Sequence, residues 1–315
     1  MEYLLFKPIY QERVWGGRAF AYHLGRKLPE NRPIGESWEI VDRQEATSEV
    51  SGGNFAGKSL RTVIEDNTET IMGPDWPPKR RFPILVKWLD CRERLSLQVH
   101  PPAGIAPELG GEPKTENWYI AGTTGDAAVL AGLKRGVTRN AFEEALRAEK
   151  LESLVWRLPC RPGDSLFVPS GRIHAIDAGN LILEIQQNSD TTYRVYDWGR
   201  KGLDGKPRTL HVEESLKSID FDDFEPELTR ADGDRQVLAQ SDEFTLHRIS
   251  LEKGESLDFV GGRQPRILSI VRGALKERRL KRVLETGDNV LLPYGGDFSF
   301  QAEEPSTVLV TEDFA

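Results

Sequence analysis

The segment from Gly163 to Ile176, GDSLFVPSGRIHAI, restricts the possible folds of this chain more than any other. It opens with a Gly-Asp turn signal, and the small or apolar residues that follow are typical of a buried strand. A Pro-Ser-Gly tripeptide ends that strand, and His174 begins the next one. This order predicts a small β-barrel with an imidazole that points into its interior. An ordinary hairpin with a half-buried histidine has the same pattern, so a metal ligand and a structural histidine both remain open.

The same pattern occurs a second time near the C-terminus. Residues 287–300, GDNVLLPYGGDFSF, match residues 163–176 in register, and Phe298 stands in the place of His174. The repeat predicts two barrels of one plan in tandem. Because the second copy has an apolar ring where the first has an imidazole, we expect the second barrel to have a structural or interface role.

Turn signals and periodicity predict how the chain divides. Short β-branched and aromatic runs between turns indicate a mainly β fold. The clearest helical pattern, residues 138–158, predicts two short helices inserted into the β structure. An acidic, turn-rich stretch at 221–233 predicts a boundary. We therefore expect a catalytic domain of residues 1–225, with N-terminal strands and the helical insertion, and a degenerate barrel of residues 226–315 without metal ligands.

The composition argues against several classes of function. The 315 residues carry a net charge of -8 and no long basic patch, which argues against binding of nucleic acid. No apolar run approaches the ~18 residues of a membrane helix, and the first residues do not form a secretory signal. The two cysteines lack CxxC spacing, so we expect no thiolate metal site and a reducing, cytoplasmic environment.

Two strand candidates each carry a pair of polar residues at positions i and i+2, which project from the same strand face. The first pair is Gln98 and His100, and the second is Lys114 and Glu116. With His174 they offer two imidazoles, a carboxylate and an amide. Zinc accepts such a set, and iron or manganese also accepts it. The alternatives are a strand face exposed to water and a surface ion pair between Lys114 and Glu116.

A later strand candidate carries charged residues that are costly to bury unless they meet each other or a ligand. It contains Glu184, and Arg194 follows in the next candidate. Beside a metal, Lys114 and Arg194 would form a cationic pocket for an anionic small molecule. The metal would polarise a carbonyl while a carboxylate such as Glu184 moves protons. Lys87, inside an apolar strand candidate, is either an edge lysine or an ion partner near the site.

Six motifs carry a resemblance to a known family: GESWEI (35–40), PILVKWL (83–89), LSLQVHP (95–101), KTENWY (114–119), VPSGRIHAI (168–176) and SDTTYRVYDWGR (189–200). They resemble the type I mannose-6-phosphate isomerase family in its short bacterial form, a member of the cupin superfamily. The resemblance spans nearly the whole chain and implies double-sheet cupin (jelly-roll) barrels. It also implies a zinc-dependent interconversion of mannose 6-phosphate and fructose 6-phosphate through a cis-enediol.

The resemblance further implies which residues act. The family's zinc ligands fall on Gln98, His100, Glu116 and His174, and its catalytic arginine falls on Arg194. Its active-site lysine and carboxylate fall on Lys114 and Glu184. Two positions depart from the family's pattern. Pro-Ala-Gly at 102–104 replaces residues that are commonly acidic, and Asn117 replaces a small or sulfur-containing residue. Neither departure removes a ligand.

Other functions compete with this interpretation. A cupin can bind a sugar phosphate or a metal without turnover, and a metal-dependent isomerase can act on another sugar. Cupins also host metal-dependent oxygenases. Those enzymes usually carry an HxH pair, and this chain has Gln98 in place of the first histidine of that pair. The expected partner is a small sugar phosphate, and the sequence leaves monomer and homodimer both open.

Overall fold

The computed structural model describes residues 1–77 and 79–314 and confirms the mainly β fold. The strands are β1 (Leu4–Leu5), β2 (Ile9–Gly17), β3 (Ile34–Ile40), β4 (Ile84–Cys91), β5 (Leu97–Val99), β6 (Glu116–Thr123), β7 (Ala128–Leu133), β8 (Val155–Pro159), β9 (Ser165–Val168), β10 (His174–Ile176), β11 (Asn180–Gln187), β12 (Tyr193–Tyr196), β13 (Arg235–Gln240), β14 (Thr245–Leu251), β15 (Ser256–Phe259), β16 (Arg266–Arg272), β17 (Ala274–Glu277), β18 (Val283–Glu285), β19 (Asn289–Leu292), β20 (Phe298–Ala302) and β21 (Ser306–Glu312). The α-helices are α1 (Ala19–His23), α2 (Leu60–Asp66), α3 (Thr68–Ile71), α4 (Arg139–Arg147) and α5 (Val212–Ser218), and short 3-10 turns cover Gly53–Phe55 and Leu151–Ser153.

Two sheets from the first two thirds of the chain pack face to face. One has the strand order β2-β3-β4-β11-β6-β9, and the other has the order β12-β5-β10-β7-β8. A buried apolar cluster fills the space between them, with Leu89 and Trp118 from the first sheet against Val129 and Ile176 from the second. The helices α4 and α5 cover the outer face of the second sheet, where Phe142 joins another cluster. The candidate site lies between these two sheets.

The C-terminal third forms a second pair of sheets, with the orders β1-β19-β16-β21-β14-β13 and β15-β20-β17-β18. The first strand of the chain belongs to this pair, since Leu4 and Leu5 are in register with Leu291 and Val290. One large apolar core extends across both halves, with Trp88 and neighbouring side chains in the same cluster as residues of β14 and β21. The N-terminal residues therefore tie the two halves together.

Both copies of the repeated segment form a strand, a turn and a second strand. In the first copy these are β9 and β10, and in the second they are β19 and β20. His174 and Phe298 are each the first residue of the second strand, and both are buried. Gly163 and Gly287 open the two copies with φ of 94 and 102, a conformation that favours glycine. The motif therefore encodes the same local backbone twice.

The helical segment is shorter than the pattern over 138–158 predicts. The helix α4 is capped by Thr138, whose side chain accepts a hydrogen bond from the Ala141 amide. A 3-10 turn replaces the predicted second helix, and Val155–Pro159 is the strand β8. Its residues pair with β7, and that long-range pairing outweighs the local helical spacing. No helix in the described part of the chain is long and apolar enough to cross a membrane.

Candidate metal and substrate site

Three of the predicted ligands meet inside the first pair of sheets. His100 follows β5, Glu116 begins β6 and His174 begins β10, and all three are fully or almost fully buried. One ligand atom from each lies within 4.8 Å of the other two. The Glu116 carboxylate lies between the rings, with Oε2 3.5 Å from His100 Nε2 and Oε1 3.6 Å from His174 Nε2. Residues that are far apart in sequence therefore form one compact donor cluster.

Backbone carbonyls orient both imidazoles. His100 Nδ1 lies 2.7 Å from the carbonyl oxygen of Thr191, and His174 Nδ1 lies 2.8 Å from that of Arg172. A carbonyl only accepts, so each Nδ1 carries the hydrogen and each Nε2 presents its lone pair toward Glu116. Burial, with a smaller effect of the Lys114 ammonium, lowers the pKa of His100 to about 3. Burial also lowers the pKa of His174, so both rings are neutral at pH 7, as metal ligands must be.

The polar atoms of this cluster fit a divalent cation. Among the described residues, both carboxylate oxygens of Glu116 and His174 Nε2 are buried and have no hydrogen-bond partner. Glu116 Oε2 forms an ion pair with Lys114 Nζ at 2.8 Å, and that Nζ is also 3.3 Å from His100 Nε2. Burial alone would raise the pKa of Glu116, but the Lys114 ammonium holds it well below its usual range. Two neutral imidazoles and one carboxylate in this arrangement suit zinc or a similar ion.

Gln98, the remaining predicted ligand, lies in the middle of β5. It is in register with His174 on β10 and with Arg194 on β12. Its side chain is partly exposed and lines the cavity beside the donor cluster. Its role as a ligand stays a prediction.

The donor cluster adjoins a charged cavity of about 410 Å³. Five cationic and three acidic side chains contribute to its lining: Arg13, Lys87, Lys114, Arg194, Arg208, Glu36, Glu184 and Asp190. A larger groove, of about 680 Å³, lies around Arg94, Asp126 and Asp177, but none of the predicted site residues lines it. The chemistry therefore points to the smaller cavity, whose positive balance suits an anionic ligand.

Glu184, on β11, is the cavity carboxylate best suited to proton transfer. Its Oε1 accepts a hydrogen bond of 3.0 Å from Trp118 Nε1, and its Oε2 lies 3.7 Å from Lys87 Nζ. Burial and the nearby Glu116 charge raise its pKa, whereas Lys114 and Lys87 lower it, and the net result is about 7. A carboxyl group that titrates near neutral pH can accept and return a proton efficiently.

Arg194 and Arg208 approach the cavity from β12 and from the loop after it. Arg194 donates to the Thr209 carbonyl oxygen at 2.8 Å, and its buried Nε has no partner among the described residues. Burial, followed by the charge of Arg208, lowers the pKa of Arg194, but an arginine stays charged at pH 7. Arg208 is paired with Asp197, at 2.7 and 2.5 Å. No carboxylate of the described chain pairs with Arg194, which leaves its charge available to a ligand.

Several cavity residues were not assigned from the sequence. Lys87 is buried and lies 3.7 Å from both Glu184 and Asp190, so of its two interpretations the ion partner is the one confirmed. Trp118, Asp190, Glu36, Arg13 and Arg208 had no predicted role. One usable signal was alternation along the strand, since Trp118 is two residues after Glu116 and projects from the same face. The other residues reach the cavity because strands that are distant in the sequence pair with each other.

Small β-barrels that hold imidazoles and a carboxylate in their interior define the cupin class of metal proteins, and this chain has that architecture. The model of the family "phosphomannose isomerase type I, catalytic domain" matches residues 4–110. Mannose-6-phosphate isomerase ManA of Bacillus subtilis is 35% identical over 312 residues, which are 95% of this chain and 96% of the relative. The chain belongs to the type I phosphomannose isomerase family.

Two further comparisons agree with the family. A Bacillus subtilis protein named probable mannose-6-phosphate isomerase GmuF is 37% identical over 253 residues, 78% of each chain. The crystal structure of the mannose 6-phosphate isomerase from Bacillus subtilis superposes with a TM-score of 0.87 at 29% identity, and the match covers 99% of this chain and 100% of that one. The expected enzyme class, an isomerase, is confirmed by this membership.

Proposed function

We propose that this protein interconverts mannose 6-phosphate and fructose 6-phosphate with the help of one zinc ion. Family membership supports the reaction, because relatives that match most of the chain are named mannose-6-phosphate isomerases. One observation carries the proposal: a buried cluster of two histidines and one carboxylate lies next to a cavity that is lined by Glu184. Five cations around that cavity suit the phosphate of a phosphorylated sugar.

Gln98, His100, Glu116 and His174 would hold the metal ion. When bound, a zinc ion would polarise the carbonyl of the open-chain sugar and favour loss of the adjacent proton. The neutral imidazoles and the partnerless Glu116 Oε1 support this donor set. Iron or manganese would accept the same donors, so the identity of the metal is part of the proposal.

The protein's own groups would carry out the proton transfers. In the direction from aldose to ketose, the Glu184 carboxylate takes the proton from C2 and O1 gains a proton, which gives the cis-enediol. The proton on Glu184 then goes to C1 while the hydroxyl on C2 loses its own and becomes the ketone. Arg194 would stabilise negative charge that develops on a sugar oxygen. Burial alone would lower the pKa of Lys114, but Glu116, 2.8 Å away, raises it, so Lys114 stays an ammonium ion. It would donate hydrogen bonds to the sugar oxygens while the proton moves from one to the other.

We extend the proposal to the division of the chain. The catalytic unit comprises residues 1–225, of which the strand β1 pairs into the C-terminal sheets, and residues 226–315 act as a structural partner without metal ligands. The buried phenyl ring of Phe298 at the position equivalent to His174 supports this second role. The shared apolar core also supports it, since the C-terminal sheets cover the outer face of the sheet that carries Glu184.

The test is a coupled assay of the purified protein on mannose 6-phosphate before and after a chelator, followed by stoichiometric zinc, iron or manganese in separate samples. We expect the chelator to abolish turnover and zinc to restore it. Tight binding of mannose 6-phosphate without turnover at full zinc content would favour a sugar-phosphate binding protein. Turnover of a different phosphorylated sugar alone would keep the chemistry and replace the substrate.

A further inference from the structure

Trp118 connects the donor cluster to the carboxylate that would move the proton. Its indole Nε1 donates to Glu184 Oε1 at 3.0 Å, and its ring meets the His174 imidazole edge-on, with centroids 5.3 Å apart and an interplanar angle of 80°. Only 1% of Trp118 is exposed. One rigid side chain therefore contacts a proposed metal ligand and a proposed proton carrier.

The sheet fixes this contact from both sides. Glu184 on β11 is in register with Trp118 on β6 and with Lys87 on β4. One carboxylate oxygen accepts from the indole, and the other lies 3.7 Å from the lysine ammonium. The carboxylate thus has a contact on each side from the two neighbouring strands, and neither contact comes from a loop.

The chemical nature of the indole suits this position. Indole donates one hydrogen bond, accepts none and does not titrate, so it holds a carboxylate without competing for its proton. A third cation in its place, beside Lys87 and Lys114, would lower the pKa of Glu184 and weaken it as a base. A neutral donor keeps the carboxylate oriented while leaving its pKa near neutrality.

From these contacts we infer that Trp118 is a positioning residue, which acts through Glu184 to set the geometry and the protonation of the proton-transfer step. The inference rests on the proposed function. Groups that orient metal ligands commonly change activity 10- to 100-fold when they are removed, and Trp118 holds the proposed proton carrier in the same manner. We therefore expect the loss of this single N–H to reduce kcat by a factor in that range.

The test uses Trp118→Phe, which removes the N–H and retains an aromatic ring against His174. The matched control is Trp88→Phe. Trp88 is also fully buried, but its Nε1 donates at 3.2 Å to the Gly287 carbonyl oxygen, on the side of the sheet away from the cavity. Four variants are compared for kcat, KM, metal content and pH profile. They are Trp118→Phe, Trp88→Phe, Glu184→Gln and the double variant that combines Trp118→Phe with Glu184→Gln.

We expect Trp118→Phe to lower kcat 10- to 100-fold, with KM within about twofold and metal content unchanged. The acid limb of its pH profile should move to higher pH, because the charged form of Glu184 loses a hydrogen-bond donor while the charges that face it, on Lys87, Lys114, Glu116 and Glu36, stay the same. Trp88→Phe should lower only the melting temperature. In the Glu184→Gln background, the Trp118 substitution should cause no further loss of kcat.

Three results would overturn the inference: a wild-type kcat and pH profile in Trp118→Phe, an equal loss in the Glu184→Gln background, or a loss that follows metal content alone. If Trp118→Phe does not fold, site-specific benzothienylalanine, which has sulfur in place of the indole N–H, replaces it. If the wild-type protein does not turn over mannose 6-phosphate, the proposed function fails separately. Carbon-13 NMR of the glutamate carboxyl groups in the metal-free proteins then still tests whether the substitution raises the pKa of Glu184.

Discussion

Lys87 and Glu184 lie opposite each other on the adjacent strands β4 and β11, with Nζ and Oε2 3.7 Å apart and both side chains buried. Trp38 on β3 and Trp118 on β6 continue the same row on either side. This row of indole, ammonium, carboxylate and indole crosses four strands. Within this row Glu184 is buried, and burial, which outweighs the opposing charges of Lys114 and Lys87, raises its pKa to about 7.

The stability of the metal-free Glu184→Gln variant, compared with that of the metal-free wild-type protein, should increase as the pH rises. The native carboxyl has a pKa of about 7, against 4.5 for an ordinary glutamate, so the native state keeps a proton that the unfolded chain loses between these values. The stability that this group contributes is therefore present below pH 4.5 and is lost as the pH rises to 7. Urea unfolding of both proteins in chelator at pH 5 and pH 8 measures the difference. A stability gap that does not change between the two pH values would contradict the assigned pKa.

Glu36→Gln, at the other buried carboxylate with an indole donor, should show the opposite pH dependence. Burial alone would raise the pKa of Glu36, but Lys87 and Arg13 lower it to about 2, and Arg13 Nε donates to it at 2.8 Å. The stabilising contribution is present above pH 4.5 and is lost as the pH falls through 2. We expect the substitution to lower the free energy of unfolding by about 3 kcal/mol at pH 7, and we expect this loss to shrink between pH 4.5 and pH 2. The same urea series, extended to pH 3, checks it.

Alternation along strands allowed much of the site to be predicted from the sequence. His100 and Glu116 each lie two residues from another polar residue, and one face of a strand collects such pairs. The Gly-Asp and Pro-Ser-Gly signals around β9 located the turn before His174 correctly. These are local properties, and the chain encodes them within a few residues.

Register between distant strands could not be predicted in this way. Trp118 and Glu184 are 66 positions apart, and no local pattern states that β6 and β11 are neighbours or which residues face each other. The same limit applies to β8, where pairing with β7 outweighs a helical pattern. It also applies to Leu4 and Leu5, which join the sheet of the opposite end of the chain.

His174→Ala should remove both the bound metal and the activity. Its Nε2 is buried and has no hydrogen-bond partner among residues 1–77 and 79–314, and Glu116 Oε1 lies 3.6 Å away, so the substitution removes one of the imidazole donors. We expect zinc content to fall well below one ion per chain and turnover to fall at least 100-fold. Elemental analysis after gel filtration and the coupled assay measure both. Since burial makes the substitution costly for folding, circular dichroism and His174→Gln, which keeps more volume, accompany it.

His247→Ala is the matched control for that experiment. His247 lies on β14 in the C-terminal sheets, where its Nε2 is 3.2 Å from Glu312 Oε1. These sheets are not the pair that holds the donor cluster, and His247 is partly exposed. We expect full zinc content and wild-type turnover in this variant. Equal loss of metal in the His174 and His247 variants would mean that the loss reflects general destabilisation and that the assignment of His174 is wrong.

Asp197→Asn should weaken substrate binding while leaving the metal in place. Asp197 holds the loop after β12 by pairing with Arg200 at 2.7 Å and with Arg208 at 2.7 and 2.5 Å, and Arg208 lines the cavity. Without the negative charge, both guanidinium groups lose their charge-assisted bonds, and Arg208 no longer has a fixed position. We expect KM for mannose 6-phosphate to rise about tenfold, a loss of about 1.4 kcal/mol, with kcat within about twofold.

The control for Asp197 is Asp204→Asn in the same loop. Asp204 is exposed, and its Oδ1 accepts only from the backbone amide of Lys206 at 3.0 Å, a bond that an asparagine oxygen can also accept. This variant should therefore have the wild-type KM. If both variants keep the wild-type KM, Arg208 does not contribute to binding of the phosphate. The cavity's anion affinity would then depend on Arg194, whose charge has no carboxylate partner in the described chain.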